Sequence, residues 1–437
     1  MKKQFTLYTI MAALIASSIL PITAMAQTQK SLGEYYGRPS YWNPYDQRGI
    51  NRFETSKVPD SIPFEGPRIR IGAGFAQSFQ NLKHETKSNV GLVQIGPGFN
   101  LAMANLFLDF QLADGIRLNL TNYMSTRHHN EFWVKGGYIQ FDKLPFKGKF
   151  FSDIMEIATI KIGHMEVNYG DQHFRRSDGG HTMMNPFVEN LIADAFSTEI
   201  GGEIYLQKNG LFGMVGMTNG TINSSIGKQA RDADMDSSKN PAIYLKAGYD
   251  KKLTNQLRVR VSGSAYINNR SQRNVLYGGD RSGSHYWSVL ESAAAPANFS
   301  GRFNPGFTRN IQAVMLNGFV KYAGLEVFGT YETTKGNAAN ELTKRNMNQI
   351  AIDGLYRFGA KENVYVGARY NKVEADMLNN PNKVNIDRVA FAGGWFLTPS
   401  VLLKAEYVTQ KYNNFMPTDI RNGGKFNGYV IEAVVGF

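Results

Sequence analysis

The chain has 437 residues, a formal net charge of +12 and no cysteine. The lack of cysteine excludes disulfide bonds and thiolate chemistry. A chain of this length is too long to fold around one ordinary soluble core, so it should form either several domains or one large closed sheet. Its basic balance is compatible with nucleic acid, an acidic membrane surface or anionic solutes as partners.

Residues 1–26 have the features of a secretory leader, which is removed on export. Lys2 and Lys3 precede an apolar run, and Ala24-Met25-Ala26 is a small-x-small cleavage signal. No later stretch reaches the roughly 18 apolar residues of a membrane-spanning helix. Residues 27–67 are rich in aromatic residues and proline and show no sustained period. We expect them to form an irregular segment, either periplasmic or a plug inside a barrel.

From Arg68 onward, apolar and polar residues alternate with a period of two, which is typical of β-strands. Most of the predicted strands exceed the 9–11 residues of a tilted membrane strand. Sixteen strands are predicted, near residues 68–80, 99–113, 116–126, 131–142, 154–166, 197–208, 211–218, 241–250, 257–268, 311–322, 325–334, 347–358, 363–374, 385–397, 401–411 and 426–437.

The connections alternate between short turns and long loops. Asp114-Gly115 and Asn209-Gly210 are hairpin signals, whereas residues 167–196 and 269–310 are long. Only the connection at 127–130 is short where a long loop is expected. This alternation is typical of outer-membrane barrels with short periplasmic turns, long extracellular loops and both termini in the periplasm. The predicted fold class is all-β: residues 68–437 form a closed antiparallel transmembrane β-barrel of about 16 strands.

Most of the predicted strands have one apolar face and one polar face. In the last strand, Tyr429, Ile431 and Phe437 belong to an apolar stripe, whereas Glu432 lies on the other face. The strand at 131–142 is ambiguous, because both of its faces carry aromatic residues. A Lys or Arg facing lipid at mid-bilayer costs about 2–4 kcal/mol, so the charged face should line the lumen.

More basic than acidic residues are assigned to this lumen face. The predicted excess of basic residues would give the lumen a positive potential that favours anions. The alternative is a neutral network of ion pairs that holds the shape of the barrel. The lumen-lining bases are Arg68, Arg70, Arg117, Lys161, Lys246, Arg258, Arg260, Arg369 and Arg388, with Lys321, Arg357 and Lys404. The acids are Asp109, Glu199, Glu203, Glu326, Glu332, Asp353, Glu406 and Glu432.

The loop between the fifth and sixth strands, residues 167–196, is the densest set of polar and charged groups in the chain. A loop of this length is usually functional or disordered, and its apolar content argues against disorder. Guanidinium groups match carboxylates and phosphates, but they can also pair with the loop's own carboxylates and hold it closed. The candidate constriction and ligand-contact residues are Asp171, His173, Arg175, Arg176, Asp178 and His181.

In strand number, in the position of this loop and in the terminal Phe437, the chain resembles the Gram-negative outer-membrane porins. Residues 163–190 loosely resemble the phosphate-selective porin O/P type, although the lysine-dense loop of a dedicated phosphate channel is missing. The resemblance implies passive diffusion of small anionic or neutral solutes, contact with outer-membrane lipid, narrowing of the pore by the loop, and a possible homotrimer.

Two other functions stay open. One is a gated transporter of hydrophobic substrates with residues 27–67 as a plug, and the other is a surface-binding barrel that uses long loops such as 269–310. The seven histidines show no zinc spacing. Asp232, Asp234 and Asp236 are a weak calcium candidate without the Gly and Glu of an EF-hand loop. No enzyme activity, cofactor or nucleic-acid partner is predicted.

Overall fold

A single closed antiparallel sheet organises the chain. The computed structural model describes residues 39, 41–55, 57, 63–125, 132–146, 148–227, 238–271, 273–295 and 299–437. Pro39 apart, these residues belong to one compact unit. The strands are β1 (Arg68–Glu85), β2 (Gly98–Phe99), β3 (Met103–Ala113), β4 (Ile116–Ser125), β5 (Phe132–Phe141), β6 (Ala158–Glu166), β7 (Thr198–Lys208), β8 (Leu211–Thr218), β9 (Ala242–Lys252), β10 (Leu257–Asn268), β11 (Asn310–Tyr322), β12 (Leu325–Asn337), β13 (Arg345–Phe358), β14 (Val364–Ala375), β15 (Val384–Thr398), β16 (Val401–Asn413) and β17 (Lys425–Gly436).

The first and last strands close the barrel. Over the described ranges the wall has sixteen strands, because the two-residue β2 only continues the line of β3 along β1. β1 pairs with β3 on one edge and with β17 on the other, from Gly74 opposite Gly436 to Glu85 opposite Lys425. Closure satisfies the backbone of every wall strand without leaving an edge. The predicted all-β barrel of about 16 strands is confirmed.

The outer face of the barrel is apolar, and the inner face carries the polar and charged residues of the wall. On β13, Ile350 and Ile352 are each 51% exposed on the outside, whereas Gln349 and Asp353 are buried inside. On β1, the outward Ile69 is similarly exposed and alternates with inward arginines. An apolar band around a closed barrel is the surface that lipid stabilises, so the barrel has the construction of a transmembrane one.

A β-bulge explains why β5 is ambiguous in the sequence. Phe132 and Val134 are exposed on the outer face, but beyond Lys135 the exposed residue is Ile139. The register with β4 shifts between the partners of Val134 and Gly136, which leaves Lys135 as the extra residue. The bulge reverses the alternation beyond Lys135, and Lys135 itself is buried in the interior.

The predicted strand at 154–166 is wrong at its start. Residues 149–155 form a short helix, α1 (Lys149–Met155), and β6 begins at Ala158. No helix among the described residues is both long and apolar enough to cross a membrane. The leader, the short connection at 127–130 and the weak calcium candidate lie outside the described residues.

Three segments of the described chain occupy the interior of the barrel. They are the N-terminal segment (residues 41–55), the first inserted loop (residues 167–197) and the second inserted loop (residues 269–271, 273–295 and 299–309). Ile192 in the first loop and Tyr286 in the second are both 0% exposed. The loop at 269–310, considered from its sequence as a surface loop, therefore folds inward.

The closing seam yields a test of the fold. Gly428 in β17 has φ of +144°, and a Cβ at this position would overlap the backbone oxygen of Asn81 in β1. Strain of this kind costs on the order of 1–3 kcal/mol, so Gly428→Ala should lower the free energy of unfolding by about 2 kcal/mol. Urea titration, read by the gel mobility of the unheated barrel, measures the loss.

Gly329→Ala is the matched control. Gly329 is an outward glycine of β12, and nothing lies within 4 Å of a Cβ placed there. Its change in unfolding free energy should stay within about 0.5 kcal/mol, as at most unconstrained surface positions. Equal losses in the two variants would contradict a special role for the seam.

Candidate functional site

A cavity of about 270 Å³ lies inside the barrel between the N-terminal segment, the first inserted loop, and strands β1 and β3 to β7. Alternation on the strands turns the polar side chains of the wall into it. Among the described residues, its charged lining consists of six cations and three carboxylates. They are Arg52, Arg70, Arg117, Lys135, Lys161, Arg176, Glu54, Glu166 and Asp178.

The N-terminal segment packs directly on the basic wall. Arg70 stacks against Tyr45, with its guanidinium carbon 4.7 Å from the ring centre, and pairs with Asp109 at 2.5 Å. Arg117 donates a hydrogen bond of 2.8 Å to the carbonyl of Tyr41. Aromatic faces and carbonyl oxygens stabilise guanidinium groups, so these contacts fix the segment inside the barrel.

The same segment is tied to the short-turn end of the barrel. The backbone N–H of Gln47 donates to the carbonyl of Pro399 in the turn between β15 and β16, at 2.9 Å. Its side-chain amide donates to the carbonyl of Lys361 in the turn between β13 and β14, at 3.1 Å. Asn51 donates to Glu326 of β12 at 2.7 Å. The segment therefore spans the lumen from β3 and β4 to the opposite wall.

The first inserted loop is held by side chains of the far wall. The backbone N–H groups of Val188, Ile192 and Ala193 donate to Glu406, Asn371 and Gln349 at 2.9, 2.6 and 2.9 Å. A buried loop needs such partners, because each unpaired backbone N–H would cost free energy. Polar residues facing inward from β13, β14 and β16 thus explain why the loop folds into the lumen.

Arg176 is the centre of a buried ionic network. Its guanidinium lies 3.0 Å from Asp178, 2.6 Å from Asp194 and 2.5 Å from Asp280. Arg302 of the second inserted loop shares Asp194 at 2.9 Å and Asp280 at 3.2 Å. Burial alone would lower the pKa of Arg176, but the three carboxylates raise it well above its ordinary value. This geometry corresponds to the alternative in which loop arginines pair with carboxylates of their own chain.

Arg175 lies outside the cavity lining. It is 1% exposed, donates to the side-chain oxygen of Asn51, and approaches Glu326 at 3.8 Å. Its guanidinium lies over the rings of Phe319 and Phe328, at 5.5 and 5.0 Å. These contacts join the first inserted loop to the N-terminal segment and the wall.

Asp171 is also outside the cavity and pairs with two wall cations, Lys246 and Arg260, each at 2.7 Å. The two candidate histidines do line the cavity. The ring nitrogens of His173 lie 2.7 Å from a Glu166 oxygen and 2.8 Å from the Asn168 side-chain oxygen. His173, Arg176, Asp178 and His181 are thus brought together at the cavity, and Asp171 and Arg175 are not.

His181 packs in an aromatic corner. Its ring meets those of Tyr45 and Phe107 edge-on, with centroids 5.8 and 5.2 Å away. Burial lowers the pKa of His181 to about 4, so the imidazole is neutral near pH 7. It therefore adds no positive charge to the lining at that pH.

The basic residues predicted for the lumen all occupy inward positions. Most have close partners, such as Arg369 with Asp353 at 2.7 Å. Arg388 donates a hydrogen bond of 2.6 Å to the carbonyl of Asn190 in the first inserted loop. The set comprises Arg68, Arg70, Arg117, Lys161, Lys246, Arg258, Arg260, Arg369 and Arg388, with Lys321, Arg357 and Lys404.

Lys161 of β6 and Arg117 of β4 are the two wall cations beside the cavity that lie 3.9 Å from their carboxylate partners, and Lys161 is the more exposed of the two. Its ammonium lies 3.9 Å from Glu203, whose carboxylate already accepts hydrogen bonds from Tyr205 at 2.6 Å and Tyr244 at 2.9 Å. The Lys161 side chain is 18% exposed, beside the rings of Tyr138 and Tyr205. It therefore presents positive charge to the cavity.

Five charged residues of the site escaped the sequence interpretation, and Arg52 and Glu166 are two of them. Lys135 lies at the bulge in β5, which makes the inward face of this strand ambiguous in the sequence. Glu54 lies in a segment without a period, and Asp280 lies in a loop that was considered exposed. The aromatic content of both stretches, such as Trp42 and Tyr286, was the available sign that they are buried.

No protein-family model matches the sequence, and neither does any curated protein. Among solved structures, the anion-selective porin of Comamonas acidovorans superposes with a TM-score of 0.53 at 9% identity, over 85% of this chain and 100% of its own. The outer membrane channel DcaP of Acinetobacter baumannii superposes with a TM-score of 0.52 at 11% identity, over 86% of this chain and 99% of its own. Likeness at such identities establishes the fold alone. The chain has the closed, sixteen-stranded barrel fold of the outer-membrane porins.

Proposed function

We propose that the protein is an outer-membrane channel for small hydrophilic solutes, that it favours anions, and that the first inserted loop narrows its lumen. The main support is the cavity beside β3 to β7, whose lining holds six cations and three carboxylates. A polar space enclosed by low-dielectric walls focuses the field of such charges on a passing solute. The proposed location is the outer membrane of a Gram-negative bacterium, with both termini periplasmic and a homotrimer as the assembly.

The inserted loops leave one side of the barrel for the passage. On the far wall, Gln349, Arg369 and Arg388 are at most 2% exposed, because the loops cover them. On the cavity side, the side chains of Arg70 and Lys161 are 22% and 18% exposed. We therefore assign the route to the wall formed by β1 and β4 to β6, with Lys161 as its main attractant for anions.

Lys161→Gln tests this assignment. At about 8 Å from a passing ion in water, one charge contributes about 0.5 kcal/mol, which corresponds to about a twofold change in relative permeability. The reversal potential across a potassium chloride gradient in a planar bilayer should shift toward cations by at least that factor. Lys372→Gln is the matched control, since Lys372 faces outward and pairs with Glu374 at 2.7 Å.

The control should leave the reversal potential unchanged. Equal shifts in both variants would show that the charge acts from anywhere on the barrel. A wild-type channel that prefers cations would contradict the anion bias itself.

The N-terminal segment favours a second candidate function, which is gated transport with this segment as a plug. It crosses the short-turn end of the lumen and contacts two turns and both walls. In this alternative the segment leaves the lumen when the channel opens. In a passive channel it stays in place and forms part of the pore wall.

A reversible lock distinguishes the two candidates, because the chain contains no cysteine of its own. Gln47→Cys with Pro399→Cys places two thiols where the backbones are joined at 2.9 Å. If the segment is a plug, oxidation should abolish large conductance steps and reduction should restore them. Deletion of residues 27–60 should then raise conductance permanently, with folding checked by gel mobility. Unchanged conductance in both experiments would reject the plug.

A further inference from the structure

Glu54 projects from the N-terminal segment into a socket formed by two wall cations. One carboxylate oxygen lies 3.0 Å from the ammonium of Lys246 on β9, and the other lies 2.8 Å from the guanidinium of Arg260 on β10. The side chains of Lys246 and Arg260 are 0% and 1% exposed. The two cations are therefore removed from water and depend on carboxylates for neutralisation.

The charges around this socket balance only when Glu54 is present. Lys246 and Arg260 also pair with Asp171 of the first inserted loop. Asp250 pairs with Arg258 at 2.6 Å and with Arg260 at 3.2 Å. The three cations and three carboxylates of the cluster are Lys246, Arg258, Arg260, Glu54, Asp171 and Asp250. Without Glu54 the wall and the loop would retain one uncompensated buried positive charge.

The surroundings of Glu54 strongly stabilise a negative charge at this position. Burial alone would raise the pKa of Glu54, but Lys246 and Arg260 outweigh this effect and lower it to about 2. The guanidinium of Arg260 donates to Glu54 and also to both oxygens of Asp171. Such charge-assisted hydrogen bonds are the kind that recognise free carboxylates.

An aromatic pocket adjoins the socket. The ring of Phe53 lies 4.2 Å from the guanidinium carbon of Arg260. It meets Phe174 and Phe319 edge-on, with centroids 5.6 and 5.7 Å away. Phe53 and Glu54 together thus fill a cleft for an aromatic body followed by a carboxylate. Both occupants belong to the N-terminal segment, whereas the cleft belongs to the wall and the first inserted loop.

We propose that the Lys246–Arg260 pair and its aromatic neighbours form a binding site for small aryl carboxylates, which the chain's own Phe53 and Glu54 occupy as an internal ligand. A carboxylate of this class competes with the N-terminal segment for the cleft. This binding site is separate from the proposed channel function. Binding to it can be measured on the purified barrel, without any transport.

Chemical rescue tests the site. The variant Phe53→Ala with Glu54→Ala should unfold at a lower temperature than the wild type in detergent. Saturating 3-phenylpropanoate should raise its unfolding midpoint by at least about 2 °C, as mass action requires of a ligand that binds only the folded state. Acetate should give a smaller rise. The neutral 3-phenylpropanamide should give none, since it lacks the charge that the two cations demand.

Two controls make the result decisive. The wild type should show no rise at the same ligand concentration, because its cleft is filled. Adding Lys246→Gln to the variant should abolish the rescue. If the double variant does not fold, Glu54→Ala alone with acetate replaces it.

Absence of rescue in a folded variant would overturn the site. A rise that is equal with the neutral amide, or that survives Lys246→Gln, would overturn it as well. Either result leaves the channel proposal intact, because that proposal depends on Lys161 and the reversal potential. Loss of anion preference, in turn, leaves the carboxylate site standing.

Discussion

The structure depends on neutralising charge inside a cylinder whose outer surface is apolar. Closure between β1 and β17 satisfies the backbone, but it also forces every second side chain inward. A charged side chain that faces lipid costs free energy, so the charged residues of the wall lie on its inner face. Buried cations are stable only when carboxylates or carbonyl oxygens surround them, and this requirement decides what else enters the lumen.

The inserted segments supply many of these partners. Asp194 and Asp280 come from two different loops and converge on Arg176. Glu54 comes from the N-terminal segment and completes the cluster around Arg260. The ionic network of the interior is therefore assembled from distant parts of the chain. The cavity lies beside Lys161, which is 3.9 Å from its carboxylate partner Glu203.

The alternation of side chains made the barrel predictable from the sequence. In β13, for example, outward Ile350 and Ile352 alternate with inward Gln349, Ala351 and Asp353, so the period of two shows which face each residue is on. Lys135 could not be predicted, because a bulge depends on the register with the neighbouring strand. The positions of Glu54 and Asp280 could not be predicted either, because they are set by long-range ion pairs rather than by local period. The inward fold of residues 269–309 is of the same kind, since wall side chains determine it.

One measurement tests most directly whether water lies inside the barrel and lipid outside. Single cysteines are introduced by Lys161→Cys and Ile162→Cys into the cysteine-free chain, which is then inserted in a bilayer and exposed to an anionic, membrane-impermeant thiol reagent. Lys161 lines the cavity, and Ile162 is its 55% exposed neighbour on the outer face. Labelling at position 161 with protection at position 162 is the expected result. The reverse pattern, or equal labelling of both, would contradict the account.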